Sequence, residues 1–191
     1  MKFSIPLSLL LLSSCSSYRV VVETGVADPI LGAQYFVRDV KGINPLQASA
    51  SALRVETTLY ETKHFAVDQG IGPEFVGGHQ GTIVGVQQAT RIRWKLTHAI
   101  HPYIMNTNGM GYAQGWRDSD VSYMYTTSFG IGTQFNIRPR LCIGVDYRWI
   151  HASNGMTMHS DKFRQFFHLR HPQKNLGYQN GGIFASLIFS F

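Results

Sequence analysis

The segment that decides the fold is LCIGVDYRW, residues 141–149, in which large apolar side chains alternate with small or charged ones. The odd positions are Leu141, Ile143, Val145, Tyr147 and Trp149, and the even positions are Cys142, Gly144, Asp146 and Arg148. Successive side chains of a β-strand point to opposite faces, so a period of two is typical of a strand. The segment is therefore predicted to be a strand with one apolar and one polar face.

The same alternation recurs from Ser51 to the last residue, Phe191. A soluble β-sandwich produces this pattern too, because it buries one face and wets the other. Here, however, the apolar face is rich in aromatic residues and the polar face carries charges of both signs, which favours a membrane barrel with a polar lumen. The charged positions are Arg54, Glu56, Asp68, Glu74, Arg91, Arg93, Lys95, Asp146 and Arg148.

Composition agrees with a membrane barrel. Of the 191 residues, 44% are hydrophobic and only 15% are charged, against about 25% charged in soluble domains. No apolar run reaches the roughly 18 residues of a membrane-spanning helix. The formal net charge of +6 favours anionic partners such as acidic lipid or lipopolysaccharide.

The N-terminus has the features of an exported precursor. Lys2 precedes an apolar stretch, residues 3–12, and Ser13, Ser14 and Cys15 follow. This stretch resembles the lipobox of bacterial lipoproteins, which implies a signal peptide over residues 1–14 and a lipid attached to Cys15. The alternative is an ordinary signal peptide with an incidental cysteine. We expect one barrel domain over residues 15–191, located in the bacterial outer membrane, and export argues against a nucleic-acid partner.

The predicted fold is all-β: an antiparallel up-and-down transmembrane β-barrel of about eight strands. The first strand is predicted at Tyr18–Val26 and the last at Gly181–Phe191, whereas residues 33–50 are ambiguous. A barrel of about eight strands leaves a lumen that side chains can fill, which argues against a pore. An even number of strands places both termini on the periplasmic side.

The predicted strand continues past Trp149 into His151-Ala152-Ser153-Asn154-Gly155. Residues two apart on a strand share a face, so His151 can serve Ser153 as a general base. Both continue the odd, lipid-facing series. Ten residues of tilted strand rise roughly 23 Å from Leu141, close to the full height of the apolar band. We therefore expect His151 and Ser153 near the outer-leaflet boundary.

HASNG, together with GVDYRWI, FGIGTQFNIRPRLCIG and HPYIMNTNGMGY, resembles the PagL-type lipid A 3-O-deacylases, or acyloxyacyl hydrolases. The resemblance implies an outer-membrane esterase with His151 as base and Ser153 as nucleophile. It also implies that Asn154 and Gly155 stabilise the oxyanion, and that Asn175 belongs to the family's Asn-x-Gly segment.

The spacing after that segment points to Gln179 as the third member of the triad, with Asn180 as the alternative. Parity favours Gln179, which shares the odd series with Ile183, Leu187 and Phe191. Well-known members of the family have a glutamate there. An amide can fix the histidine tautomer but cannot neutralise an imidazolium, so slower chemistry is expected.

The expected partners are lipid A or lipopolysaccharide as substrate and the surrounding outer-membrane lipids, and whether the barrel is a monomer or a homodimer is left open. No cofactor and no metal are expected, because the histidines between residues 156 and 174 lack a ligand spacing. That segment, rich in basic and aromatic residues, either contacts lipid or is a solvated loop. The alternative functions are a phospholipase-like acyl-ester hydrolase and a non-catalytic structural or adhesive barrel.

Overall fold

The computed structural model describes residues 18–28, 43–45, 48–78, 81–115, 123–153 and 177–191. These residues form nine strands: β1 (Tyr18–Ala27), β2 (Ile43–Pro45), β3 (Ala48–Glu61), β4 (Phe65–Gly78), β5 (Gly81–Trp94), β6 (Ile100–Gln114), β7 (Tyr123–Arg138), β8 (Leu141–Ser153) and β9 (Gly177–Ser190). Within the described ranges, no helix has the length and apolar character needed to span a membrane.

Eight of the strands close into an antiparallel barrel. With β2 set aside, consecutive strands pair with each other from β1 to β9. Because β1 also pairs with β9, the sheet has no open edge between its first and last strands. The three-residue strand β2 stands apart, because it pairs in parallel with the beginning of β9. We call the end that carries Tyr18 and Ser190 the lower end, and the end that carries Ser153 and Gly177 the upper end.

The pairing register fixes the tilt of the strands. A line of paired residues that leaves β9 at Gln179 passes around the barrel through Asn108 and Val55 and returns to β9 at Phe189, ten residues further along. For eight strands, this offset corresponds to a tilt of about 40°. The line runs from β9 to β8, then to β7, and on through the remaining strands to β1. Each step from one strand to the next along it therefore lies about 3 Å closer to the lower end.

The burial pattern is inverted relative to a soluble protein. Large apolar side chains lie on the outside: Val22 is 47% exposed, Ile71 61% and Ile131 60%. The lumen holds five arginines and five carboxylates among the described residues, namely Arg19, Glu23, Arg54, Glu56, Asp68, Glu74, Arg91, Arg93, Asp146 and Arg148. An apolar exterior around a polar interior is the arrangement that a hydrocarbon environment favours. The fold is a transmembrane β-barrel with a lumen filled by side chains.

Glu23 of β1 is the centre of the lumenal ion network. Arg54 donates to both of its carboxylate oxygens at 3.1 and 2.8 Å, and Arg148 donates to the same two oxygens at 2.7 and 2.5 Å. Arg148 also contacts Asp146, which accepts a hydrogen bond from Tyr103 Oη at 2.7 Å. Two bidentate guanidinium contacts on one carboxylate satisfy charges that would otherwise be costly to bury. This network connects β1, β3, β6 and β8 across the lumen.

Gly109 of β6 shows how small residues make room for these charges. A Cβ placed on Gly109 would lie 2.0 Å from Glu74 Oε1 and 2.4 Å from Thr126 Oγ1. The Thr126 hydroxyl instead donates to that carboxylate oxygen at 2.6 Å. A side chain at position 109 would displace this buried hydrogen bond.

The predicted fold class is confirmed, with differences at the element bounds. β1 ends at Ala27 rather than Val26, and β9 begins at Gly177 rather than Gly181. The ambiguous region contains β2 and the start of β3. Lys95 was predicted on the polar face with the lumenal charges, but it lies below β5 and pairs with the exposed carboxylate of Glu61. The predicted signal peptide and Cys15 lie outside the described residues.

Candidate active site

His151 and Ser153 lie at the upper end of β8, where the alternation of the strand continues. The even positions from Cys142 to Ala152 are buried towards the lumen, while His151 is half-buried on the outer face. Ser153, two residues further, is 8% exposed. The odd parity of both residues thus places them on the wall that faces lipid, at its upper rim.

The register gives each of these residues two direct neighbours. His151 is paired with Thr127 of β7 and with Gln179 of β9, and Ser153 is paired with Tyr125 and Gly177. Cβ atoms of directly opposed residues in antiparallel strands are about 4.5–5.5 Å apart. The geometry therefore brings an imidazole, a hydroxyl and a carboxamide together on one face. Neither His151 nor Gln179 forms a side-chain hydrogen bond with another described residue.

Trp149 covers one side of the imidazole. The rings of Trp149 and His151 are stacked, with centroids 5.8 Å apart and planes at 14°. This contact restricts rotation of the His151 ring and shields one of its faces from solvent. The indole consequently positions the histidine with its ring edge available to neighbouring side chains.

The two amides considered for the third position lie on opposite sides of β9. Gln179 is on the outer side with His151 and is 4% exposed. β1 ends before this level, and Pro45 of β2 takes its place as the second neighbour of Gln179. Asn180 is fully buried on the lumen side, and its Oδ1 accepts a hydrogen bond from the Gly181 backbone at 3.1 Å.

Further polar residues lie on the outer wall beside His151. Thr127, Asn108 and Asn106, which we call the outer polar cluster, are connected by hydrogen bonds. The Thr127 hydroxyl, with one proton, donates towards Asn108 Oδ1 at 3.0 Å and the Thr107 carbonyl at 3.2 Å, and Asn108 Nδ2 donates to Asn106 Oδ1 at 2.6 Å. Sequence reasoning missed this cluster. Its signal is an interruption of the outward apolar series of β6 and β7, where Asn106, Asn108 and Thr127 occupy outward positions.

Three of the predicted site residues lie outside the described residues: Asn154, Gly155 and Asn175. Their predicted contribution to an oxyanion site stays a prediction, as does any role of the segment 156–174.

Cavities lined by described residues also occur inside the barrel, one of them with Thr127 and Ile150 among its lining residues. A cavity of about 470 Å³ opens at the lower end, lined by Arg19, Arg93, His101 and Cys142, and is thus at the opposite end of the barrel. Within the described ranges, no group of three or more His, Cys, Asp or Glu side chains is arranged to hold a metal ion.

No family model and no curated protein sequence matches the chain. Among solved structures, the outer membrane enzyme PagL is similar at 15% identity, a TM-score of 0.48, and coverage of 90% of this chain and 98% of the other. Neisserial surface protein A is similar at 12% identity and a TM-score of 0.47, covering 93% and 98%.

A designed transmembrane β-barrel is similar at 11% identity and a TM-score of 0.45, covering 94% of this chain and 98% of the other. Because an enzyme, a surface protein and a designed barrel are all similar to this chain, the likeness carries no information about its activity.

Proposed function

We propose that the protein is an outer-membrane serine esterase that hydrolyses an ester-linked acyl chain of lipid A, at the 3-O position, with His151, Ser153 and Gln179 as its triad. One observation carries the proposal: a histidine and a serine share the outer face at the upper rim of a wall built mainly of large apolar side chains. Polar side chains at a lipid-facing position are costly, so they are retained where they serve a function.

The proposed reaction proceeds through an acyl-enzyme. Ser153 Oγ attacks the ester carbonyl carbon while His151 accepts the hydroxyl proton. The tetrahedral intermediate collapses, the bond from the carbonyl carbon to the ester oxygen breaks, and His151 returns the proton to the departing alcohol. A water molecule then attacks the acyl-enzyme and gives its proton to His151. Ser153 recovers that proton as the fatty acid is released.

Gln179 has a positioning role in this proposal. Its carboxamide oxygen can accept the second imidazole N–H, which leaves the other nitrogen of His151 facing the serine hydroxyl. The direct pairing of residues 151 and 179 across β8 and β9 supports this assignment. An amide gives the developing imidazolium less stabilisation than a carboxylate, so we expect a modest rate.

The choice of lipid A over other esters rests on the resemblance of the segment around residues 151–155 to the lipid A deacylases. A phospholipid ester at the same depth is the second candidate substrate, because the rim position of Ser153 suits any bilayer lipid whose carbonyl lies at the boundary of the outer leaflet. The uncharged Gln179 favours the third candidate, a barrel without catalytic activity.

Mass spectrometry of membrane lipids tests these candidates together. The full chain and its Ser153→Ala variant are expressed in a bacterial host whose outer membrane contains lipid A, and insertion is checked by the heat-dependent gel mobility of the folded barrel. We expect lipid A to lose one acyl group with the unchanged protein alone. Lysophospholipid formation that depends on Ser153 would identify a phospholipid, instead of lipid A, as the substrate. Unchanged lipids in a host that contains the inserted barrel would refute the esterase.

A further inference from the structure

The cavity of about 470 Å³ at the lower end, which we call the lower cavity, has no place in the proposed reaction. Its wall includes Arg19 of β1, Arg93 of β5, and Gln134 and Arg138 of β7. A barrel with an even number of membrane-spanning strands has the outer ends of its first and last strands at the periplasmic side, so the lower cavity opens to the periplasm. A ligand therefore reaches it from water and not from the hydrocarbon of the bilayer.

The charges on the wall of the lower cavity are not balanced. Asp68 is shared by two guanidinium groups: Arg19 Nη2 lies 2.5 Å from its Oδ1, and Arg93 Nε donates to its Oδ2 at 2.6 Å. Arg91 pairs with Glu56 in the same half of the lumen. In this half, three arginines are therefore matched by two carboxylates, which leaves one positive charge in excess.

No described group near the cavity compensates this charge. The other two lumenal arginines are matched by two carboxylates in the network around Glu23. Glu74, which has no arginine partner, lies six residues further up β4 than Asp68, a distance of about 20 Å. At the rim, Lys95 and Glu61 form their own ion pair, whereas Arg138 is exposed and has no ion pair with a described residue. Arg138 thus adds a second uncompensated positive charge.

The wall also has hydrogen-bonding atoms without partners among the described residues. Arg19 is 4% exposed and makes its ion pairs through Nη2, and its Nε has no hydrogen-bond partner. Gln134 is 3% exposed; its Nε2 donates to Asn136 Oδ1 at 3.1 Å, and its Oε1 has no partner. The Cys142 thiol also donates to Asn136 Oδ1. The wall therefore offers N–H donors together with a free acceptor, and buried groups of this kind indicate a ligand or ordered water.

These features restrict the ligand. The excess of positive charge requires an anion, and guanidinium groups match the oxygens of phosphate and carboxylate. The free acceptor of Gln134 requires, in addition, a ligand that retains a proton. Carboxylates are ionised at neutral pH, and sulfate is too, so neither has a proton to donate. Inorganic phosphate keeps at least one P–OH group at this pH and is therefore both an anion and a donor.

We propose that the lower cavity is a binding site for hydrogen phosphate, which enters from the periplasm independently of the proposed esterase. Arg19, Arg93 and Arg138 bind its anionic oxygens, and Gln134 Oε1 accepts the hydrogen bond from its P–OH group. A volume of about 470 Å³ leaves room for the ion together with bridging waters, which occupy about 30 Å³ each. Because the bound anion compensates the charge of the wall, phosphate stabilises the folded barrel.

Isothermal titration calorimetry tests the site on the full chain, folded in uncharged detergent micelles at neutral pH and constant ionic strength. Sodium phosphate and sodium sulfate are titrated in parallel. We expect phosphate to bind about tenfold more tightly than sulfate, as one additional hydrogen bond would provide. Arg138→Gln should weaken phosphate binding about tenfold, because it removes a charged donor. Arg140→Gln is the matched control, since Arg140 belongs to the same turn but does not line the cavity, and it should leave the affinity unchanged.

Gln134→Met tests the acceptor separately from the charge. It should bring the affinities for phosphate and sulfate within about twofold of each other and leave sulfate binding as it was. Heat-dependent gel mobility verifies that each variant is folded. Equal affinities of the unchanged protein for the two anions would overturn hydrogen phosphate as the ligand. Equal weakening by Arg138→Gln and Arg140→Gln would replace the site by a general attraction of anions to the rim. Stabilisation by phosphatidylglycerol in the micelles, without phosphate binding, would overturn the site in favour of a lipid headgroup.

Discussion

The lumen and the outer wall both hold polar side chains away from bulk water. In the lumen these side chains are mostly ion-paired, whereas on the outer wall they are only partly hydrogen-bonded. In the lumen, the five arginines form ion pairs with four of the five carboxylates, Glu23 is held by two guanidinium groups, and Glu74 accepts a hydrogen bond from Thr126. On the outer wall, His151 and Gln179 are opposed without a hydrogen bond to a described residue, and the outer polar cluster keeps free donors. The lumenal charges compensate one another, although Arg19 Nε and Arg91 Nε have no hydrogen-bond partner among the described residues, whereas the polar groups with unused capacity on the outer wall are open to a ligand.

The largest effect is expected from removing the base on the outer wall. His151→Ala should lower kcat/KM for hydrolysis of a lipid ester by about 10⁴-fold, the upper end of the usual contribution of a general base and equivalent to about 5.5 kcal/mol. His64→Ala, in the exposed turn between β3 and β4, is the control and should leave the rate unchanged. Fatty-acid release in detergent micelles measures both. A His151→Ala protein with more than a tenth of the original rate would contradict the assignment.

The next effect concerns the lumen. Glu23→Gln leaves Arg54 and Arg148 without their shared carboxylate, and breaking a buried ion pair in this way costs about 3–5 kcal/mol. Urea unfolding of the barrel in micelles measures the loss. Glu61→Gln, which removes an exposed partner of Lys95, should cost about 0–1 kcal/mol. Equal losses for the two variants would mean that the lumenal network does not stabilise the barrel.

A charge placed on the apolar part of the outer wall gives a smaller effect. Val22, 47% exposed in the middle of β1, should lie near the centre of the bilayer. Val22→Arg should destabilise the inserted barrel by about 2–4 kcal/mol, as lipid-facing arginines at the midplane do. Leu59→Arg, close to the lower turn, should cost about 0–1 kcal/mol. If the two substitutions cost the same when measured in lipid vesicles, the outer wall does not face hydrocarbon.

The smallest expected effect concerns the identity of the third triad residue at the outer site. Gln179→Glu supplies the negative charge that an imidazolium at His151 lacks, and should raise kcat about tenfold, equivalent to about 1.4 kcal/mol. Asn180→Asp should give no such gain, because its side chain lies on the lumen face. A rise in kcat with Asn180→Asp and none with Gln179→Glu would assign the third triad position to Asn180 instead of Gln179.

Much of the fold was predictable from the sequence because the outside of a barrel strand must be apolar. The alternation in β8 is regular from Leu141 to Trp149, and it predicted both the strand and the face of its last residues. The outward series of β6 is less regular, since Asn106 and Asn108 interrupt its apolar side chains. The same interruption defines the outer polar cluster.

The site was predictable only in part. The positions of His151 and Ser153 on one face follow from their spacing in the sequence. The cross-strand partners of His151 and Ser153 do not follow from the sequence, because the pairing register depends on strand offsets that are set by turns and bulges. The pairing of Gln179 with His151 on one side and with Pro45 on the other therefore required the structure. The same holds for Thr127, which lies 24 positions before His151 in the chain and next to it in the sheet.

The most direct test of the central claim is covalent labelling of the outer wall. A fluorophosphonate reacts only with a serine whose hydroxyl is activated by a neighbouring base. The folded full chain in micelles is treated with the reagent and mapped by peptide mass spectrometry, with His151→Ala treated in parallel. We predict a single adduct on Ser153 that is lost in His151→Ala. A folded barrel with no adduct on Ser153, or equal labelling in both proteins, would contradict a serine esterase at this rim.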